Sequence, residues 1–173
     1  MSKPDEQVRE GEITLPFDPA EVADGPRLAF IGHVQTPWKT RKDCPRNLTE
    51  ARQRMREHGL KAFLHIRAEY RQGLTGLEAY EHVIALYWMH RAARHIIIQR
   101  PRHQPGAFGV FALRSPVRPN NIAMSTVRIL SLDQPAGIIE VDAIDCIDGT
   151  PLIDIRPWNP AIDAPEGFCN DHD

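Results

Sequence analysis

Residues 109–125, GVFALRSPVRPNNIAMS, hold the densest group of chemistry-bearing side chains in the sequence. A β-forming run delivers Arg114 and Ser115, a polar connection follows with Pro116, Arg118, Pro119, Asn120 and Asn121, and Ile122 begins a second β-forming run. The prolines fix φ and remove backbone donors, so the connection is stiff and holds two guanidiniums near each other with little entropic loss. Guanidiniums grip carboxylates and phosphates through forked hydrogen bonds, which makes this segment a candidate anion clamp. The alternative is a turn between two barrel strands that bears surface arginines.

A second group, CIDGTPLIDIRPW at residues 146–158, contains Asp148-Gly149, a strong tight-turn signal, followed by Thr150 and Pro151. Its Asp154 and Arg156 also fit a simple pair along or across strands. The third group is Thr36-Pro37-Trp38 and then Cys44-Pro45-Arg46-Asn47, a proline-bounded loop leading into a helix. Helix N-termini present unpaired N–H groups that attract carboxylates and phosphates, and Arg46 adds a positive charge there.

Familiar cofactor and nucleophile signatures are missing. No two of the 11 glycines are separated by a single residue and no lysine follows a glycine, which removes the G-x-G-x-x-G and Walker turns. Neither a G-x-S-x-G elbow nor an H-E-x-x-H helix is present. Among the 8 histidines, His90 and His95 are five apart and His95 and His103 eight apart, but no acid lies between residues 91 and 128 to complete a metal site, so no metal is expected. His90 closes an apolar run, where it is either a wall residue or a side chain turned toward a cleft.

The elements that must position these groups are mostly strands. Runs of β-formers occur at Arg27–Gln35, Val83–His90, Gly109–Leu113, Ile122–Leu132, Gly137–Ile147 and Leu152–Ile155, bounded by Pro, Gly, Asn and Asp. They do not alternate with long helices. The fold class expected is therefore mainly all-β, a small closed antiparallel barrel with one or two short helices and extended termini. One helix is predicted: Asn47 caps it, Glu50 completes a capping box, helix formers run from Ala51 to His58, and Gly59 stops it. The division expected is an extended acidic arm over 1–26, a barrel domain over 27–158 and an acidic tail over 159–173.

With 173 residues, 42% of them hydrophobic, the chain is long enough for one domain with a core that needs no staples. Its 3 cysteines, Cys44, Cys146 and Cys169, lack C-x-x-C spacing, and a reducing cytoplasm is the setting expected. Apolar runs fall short of the roughly 20 residues that cross a bilayer, so no membrane role is expected. The net charge of −2 conceals a polar map. Residues 39–71 carry ten Lys or Arg against four acids, and residues 91–128 carry seven Arg and no acid, while residues 129–173 sum to −9. Such basic blocks suit a phosphate backbone; alternatively they pair with the acidic C-terminal segment.

Taken together, GHVQTPW (32–38), PRN (45–47), GVFALRSPVRPNNIAMS and DGTPLIDIRPW (148–158) resemble the signatures of the TrmO family, also called TsaA-like or YaeB-like. The resemblance spans roughly residues 27–158. It implies a methyltransferase that uses S-adenosyl-L-methionine and acts on N6 of threonylcarbamoyladenosine at position 37 of tRNA, in the anticodon stem-loop. It also implies a β-barrel unlike Rossmann-type methyltransferases, and a homodimer.

Carried over residue by residue, the resemblance makes Pro45, Arg46, Asn47, His90, Arg91, Arg114, Asp148, Gly149, Thr150 and Pro151 the expected cofactor contacts. Arg118 and Asn120 are the expected substrate contacts, and the general base is unassigned. Three positions depart from the family pattern. Asn47 stands for Gln, Asn121 for the second proline of R-P-N-P-I-G, and Ala123 for its glycine. The sequence also ends soon after DIRPW, so a C-terminal domain of longer members is expected to be missing. Against the tRNA reading stand a methyltransferase for a small molecule or another RNA, and a non-catalytic module that binds S-adenosylmethionine or RNA.

Overall fold

Side chains alternate along a strand, and where every inward position is apolar the sheet can close around its own core. The computed structural model describes residues 8–22, 25, 27–101 and 105–165. Its strands, among the described residues, are β1 (Ile13–Thr14), β2 (Gly32–Gln35), β3 (Ala62–Ile66), β4 (His82–Trp88), β5 (Ile96–Gln99), β6 (Phe108–Gly109), β7 (Ile122–Asp133), β8 (Ile138–Val141) and β9 (Thr150–Pro157). Six of them close in the order β2-β3-β8-β7-β4-β9, every pairing antiparallel. Each contributes a fully buried residue to one core: Val34, Leu64, Ile139, Val127, Val83 and Leu152. This is the closed, mainly β architecture expected.

The barrel closes tightly at β2–β3. Gly32 pairs with Ile66, and a Cβ placed at Gly32 would lie 1.8 Å from the His65 carbonyl oxygen, so only glycine admits that approach.

Helix α1 (Leu48–His58) connects β2 to β3. Its cap is the predicted one: the Asn47 side chain accepts from the Glu50 N–H at 2.8 Å, and Gly59 follows the last turn. The Glu50 carboxylate reaches back to the Arg46 N–H at 3.1 Å, one residue earlier than an ordinary capping box. Ala51 and Met55 enter the barrel core. Arg52 ties the helix to the barrel, donating from Nε to Asp142 at 2.6 Å and from Nη2 to the Thr126 carbonyl at 3.0 Å.

A small sheet, β1-β5-β6, lies beside the barrel, and β1 comes from the segment read as an arm. Ile96 of β5 joins Ala93 and Val117 in a second apolar cluster. That cluster lies under the proline-rich connection and gives it a floor.

The expected runs differ in length from the strands, most clearly at Leu152–Ile155, which lies inside the longer β9, and at three others. The first strand starts at Gly32, not Arg27, and β6 passes at once into a 3-10 turn over Val110–Ala112. The run expected to reach Ile147 ends at Val141, because Asp142 turns its carboxylate onto the Arg128 N–H and Arg52. Residues 143–146 then bury Ala143, Ile144 and Cys146 without strand pairing. Short α2 (Pro160–Asp163) follows β9. His103, Cys169, and residues 1–7 and 166–173 of the expected arm and tail lie outside the described residues.

Candidate active site

Three loops far apart in sequence meet at one cleft of about 990 Å³. One wall is the head of α1 with the loop before it. A second is the end of β4 and the turn after it, and a third is the proline-rich connection with the first half of β7. Asp145, Ile147 and Thr150 complete the lining.

Of the residues expected from the sequence, Pro45, Arg46, Asn47, His90, Arg91, Arg114, Arg118 and Thr150 line this cleft. Asp148, Gly149, Pro151 and Asn120 do not. Asp148 accepts from the Thr36 N–H at 3.0 Å and from Lys39 Nζ at 2.7 Å, so its carboxylate closes the turn into β9. Burial opposes its charge, but Lys39 and the Thr36 N–H outweigh that and hold the carboxyl below its ordinary value. Gly149 sits in that turn at φ +75°, a conformation that residues with a Cβ rarely adopt, and donates its N–H to Val34. Pro151 lies in β9 opposite His33. Asn120 accepts from Arg94 at 3.5 Å.

The proline-rich connection is held from below. Asn121, 1% exposed, donates from Nδ2 to the Pro116 carbonyl at 2.7 Å and the Ala93 carbonyl at 3.2 Å. Arg94 Nε donates to the Pro119 carbonyl at 2.6 Å. Ala123 sits inside β7 opposite Tyr87 with no positive φ, so the extra Cβ relative to the family's glycine meets no backbone strain.

Six arginines line the cleft, at 41, 46, 52, 91, 114 and 118. Arg114 reaches the Met124 carbonyl at 3.5 Å, and Arg91 donates from Nε to His90 Nε2 at 3.3 Å. With Nε2 accepting, the neutral His90 ring carries its proton on Nδ1. That atom is buried, and among the described residues it has no hydrogen-bond partner. Burial first, then the Arg91 charge, push His90 below the usual histidine value against a smaller opposing influence of the Trp88 carbonyl, so the ring stays neutral at pH 7. A buried N–H without a well-formed acceptor can take a partner that the described residues do not supply.

Among the polar cleft residues that the sequence reading did not single out, three form one cluster. Tyr87 and Ser125, 3% and 6% exposed, bring their oxygens to 2.9 Å from each other. Both approach Asp145 Oδ1, Tyr87 at 3.1 Å and Ser125 at 3.3 Å. Burial, then the Asp145 charge, drive the Tyr87 phenol well above its ordinary value, so it is a permanent donor. Cys44 also lines the cleft, but burial, then Asp145, push its thiol up to about 12, which leaves it unreactive. The missed signal is the alternation of β4 and β7: Tyr87 and Ser125 fall on inward positions otherwise held by Val83, Ala85 and Val127, where a hydroxyl demands a partner.

Residues 33–164 match the family described as the tRNA-methyltransferase O N-terminal domain. A probable S-adenosyl-L-methionine-binding protein, VirR of Rhizobium radiobacter, is 39% identical over 130 residues, covering 75% of this chain and 69% of that protein. The tRNA (adenine(37)-N6)-methyltransferase of Escherichia coli is 33% identical over 142 residues, 78% of this chain and 58% of that one. The crystal structure of TrmO from Pseudomonas aeruginosa superposes with a TM-score of 0.62 at 27% identity, covering 86% of this chain and 63% of that chain. The chain thus spans less than two thirds of the length of these last two proteins.

Proposed function

Because this chain belongs to the family of the tRNA-methyltransferase O N-terminal domain, we propose that it is an S-adenosylmethionine-dependent methyltransferase for N6 of adenosine 37 in the tRNA anticodon loop, on a base that already carries a threonylcarbamoyl group. The observation that carries the reading is the meeting of three distant segments at one arginine-lined cleft. When bound, the cofactor supplies an electrophilic methyl group on a sulfonium sulfur.

The chain's own residues suit that guest. The guanidiniums of Arg46, at the head of α1, and of Arg114 and Arg91 opposite supply positive charge and N–H donors for the cofactor carboxylate, while Pro45 and Asn47 shape the wall beside them. The His90 Nδ1–H, without an acceptor among the described residues, is a donor for a cofactor oxygen or ring nitrogen. Met89, Ile122 and Met124 give the same space apolar surface for an adenine ring. Thr150 is held by its own hydroxyl, which donates to the Ile147 carbonyl at 2.6 Å, and shapes the lining instead of offering that hydroxyl. Asp148, Gly149 and Pro151 set the course of the turn from outside. Arg118, which lines the cleft, is in this reading the contact for a tRNA phosphate, with Asn120 two residues on. In this reading the chain acts as a homodimer in the cytoplasm.

Incubating the purified chain with methyl-labelled S-adenosylmethionine and tRNA, with and without the threonylcarbamoyl group, tests the reading by mass analysis of the digested nucleosides. The expected product is a methylated threonylcarbamoyladenosine, formed only from the prepared tRNA. Methyl transfer to unmodified adenosine refutes the finer substrate, and transfer to no tRNA refutes the assignment.

A further inference from the structure

A methyl acceptor nitrogen that still bears hydrogen must lose a proton as it gains the methyl group, and the chain must offer somewhere for that proton to go. On adenine N6 the lone pair is conjugated with the ring, so an acceptor for the N–H both orients the nitrogen and frees the pair. The cleft offers few choices. Neutral His90 spends its one accepting nitrogen on Arg91, the Tyr87 hydroxyl stays protonated and is engaged with Ser125 and Asp145, and the Cys44 thiol stays protonated. The arginines accept nothing. Among the residues lining the cleft, Asp145 is the one carboxylate.

We propose that Asp145 is the catalytic proton acceptor of this cleft, held in place by the paired hydroxyls of Tyr87 and Ser125; the proposal rests on the methyl-transfer reading above. Both hydroxyls gather on Oδ1, and among the described residues no group is bonded to Oδ2. The oxygen left over is the one available to an acceptor N–H.

The backbone around it is pinned on both sides. Trp38 Nε1 donates to the Ile144 carbonyl at 3.0 Å and Thr36 Oγ1 to the Cys146 carbonyl at 3.0 Å, while Cys44 Sγ points to the Asp145 carbonyl at 3.3 Å. Such bracing fixes a side chain to within the fraction of an ångström that proton transfer needs. The Tyr87–Ser125 hydrogen bond uses one of their two hydroxyl protons and Oδ1 takes the other, which leaves Oδ2 outside that structural duty. Asp145 Oδ2 accepts the nitrogen's proton as the nitrogen–carbon bond forms and the carbon–sulfur bond breaks, the electron pair of that bond remaining on sulfur. The protonated acid then returns the proton to water.

The test is Asp145→Asn, which keeps the shape and removes the basicity. Melting temperature, calorimetric affinity for S-adenosylmethionine and affinity for tRNA are measured beside the single-turnover rate of methyl transfer. The expected result is a rate reduced roughly 10²- to 10⁴-fold, with both affinities within about threefold of the unsubstituted chain. Asp145→Glu, which keeps the carboxylate but displaces it, retains more rate than Asn and serves if the Asn variant does not fold. A rate within about threefold of the unsubstituted chain overturns the proposal. So does a loss abolished by saturating cofactor, which makes Asp145 a cofactor grip. If the unsubstituted chain itself transfers no methyl group, the reading of function fails and this proposal with it; a failure confined to the variants' predicted behaviour leaves that reading standing.

Discussion

Asn121 occupies the position where the resembling pattern has proline, and removing its side chain tests how the arginine-bearing connection is held. Its amide is enclosed, and its Nδ2 bridges the carbonyls of Pro116 and Ala93, which belong to two separate segments of the cleft wall. Each neutral hydrogen bond contributes about 0.5–1.5 kcal/mol net, and a buried polar group left unpaired adds about 1–3 kcal/mol. Asn121→Ala is therefore expected to destabilise the chain by about 2–3 kcal/mol, which for a domain of this size lowers the melting temperature by roughly 4–12 °C. Asn121→Asp is the sharper variant, since it aims a carboxylate at two carbonyl oxygens with no donor between them. At pH 7 it is expected to be less stable than Ala, and to recover as pH falls and the protonated acid regains one donor. Urea denaturation at pH 7 and pH 5 reads both effects. A loss under about 0.5 kcal/mol for Ala, or an Asp variant as stable as Ala at pH 7, refutes the bridging role.

Arg114→Ala and Arg46→Ala are each expected to weaken cofactor affinity by tenfold or more, on the order of one charge-assisted hydrogen bond, while melting temperature barely moves, because both guanidiniums face the cleft; parallel losses in the two measurements contradict this. His90 has its protonation lowered by burial and Arg91, so the neutral ring persists above the ordinary histidine value of 6.5. Cofactor affinity is expected to be flat from there upward, and since the Nδ1–H donor survives protonation of Nε2, any change as pH drops through the lowered value comes from release of Arg91; His90→Gln removes that change, and calorimetry across pH checks it. Asp148 is displaced downward, so its contribution to stability is fully present above its ordinary value of 3.8 and lost as pH falls through the lower folded value. The difference in melting temperature between the unsubstituted chain and Asp148→Asn is expected to shrink across that acid range and to be constant above it.

How much of this was legible in the sequence depends on how local the signal was. The helix was legible because its cap, capping carboxylate and terminal glycine all lie within one short segment, Asn47 to Gly59. Strands β4 and β7 announced themselves by long apolar or β-branched runs, and β9 by the shorter run Leu152–Ile155 at its centre. Strand β3, AFLHI, was missed although its burial alternates cleanly, because it is short and abuts the charged helix. The end of β8 was misjudged because residues 143–146 are as apolar as a strand, yet their carbonyls are claimed by Trp38 and Thr36 from the far side of the chain.

The site divides in the same way. Prolines and arginines of the three loops stood out in one dimension, and the fold brings most of them together. The DGTP turn stood out equally, but its conspicuous residues Asp148 and Gly149 serve the backbone, and of that turn only Thr150 lines the cleft. The Tyr87, Ser125 and Asp145 cluster is assembled from positions 38 and 20 residues apart. No local pattern contains it; it emerges only once β4 and β7 are paired and the loop after β8 is laid across them.

Crystals of the purified chain grown with S-adenosylmethionine test the central claim most directly. The account predicts the adenosyl group in the cleft between the head of α1 and the proline-rich connection, with His90 Nδ1 and at least one of Arg46 and Arg114 within hydrogen-bonding distance of it. Cofactor bound on another face of the barrel, with His90 Nδ1 still unengaged, contradicts it.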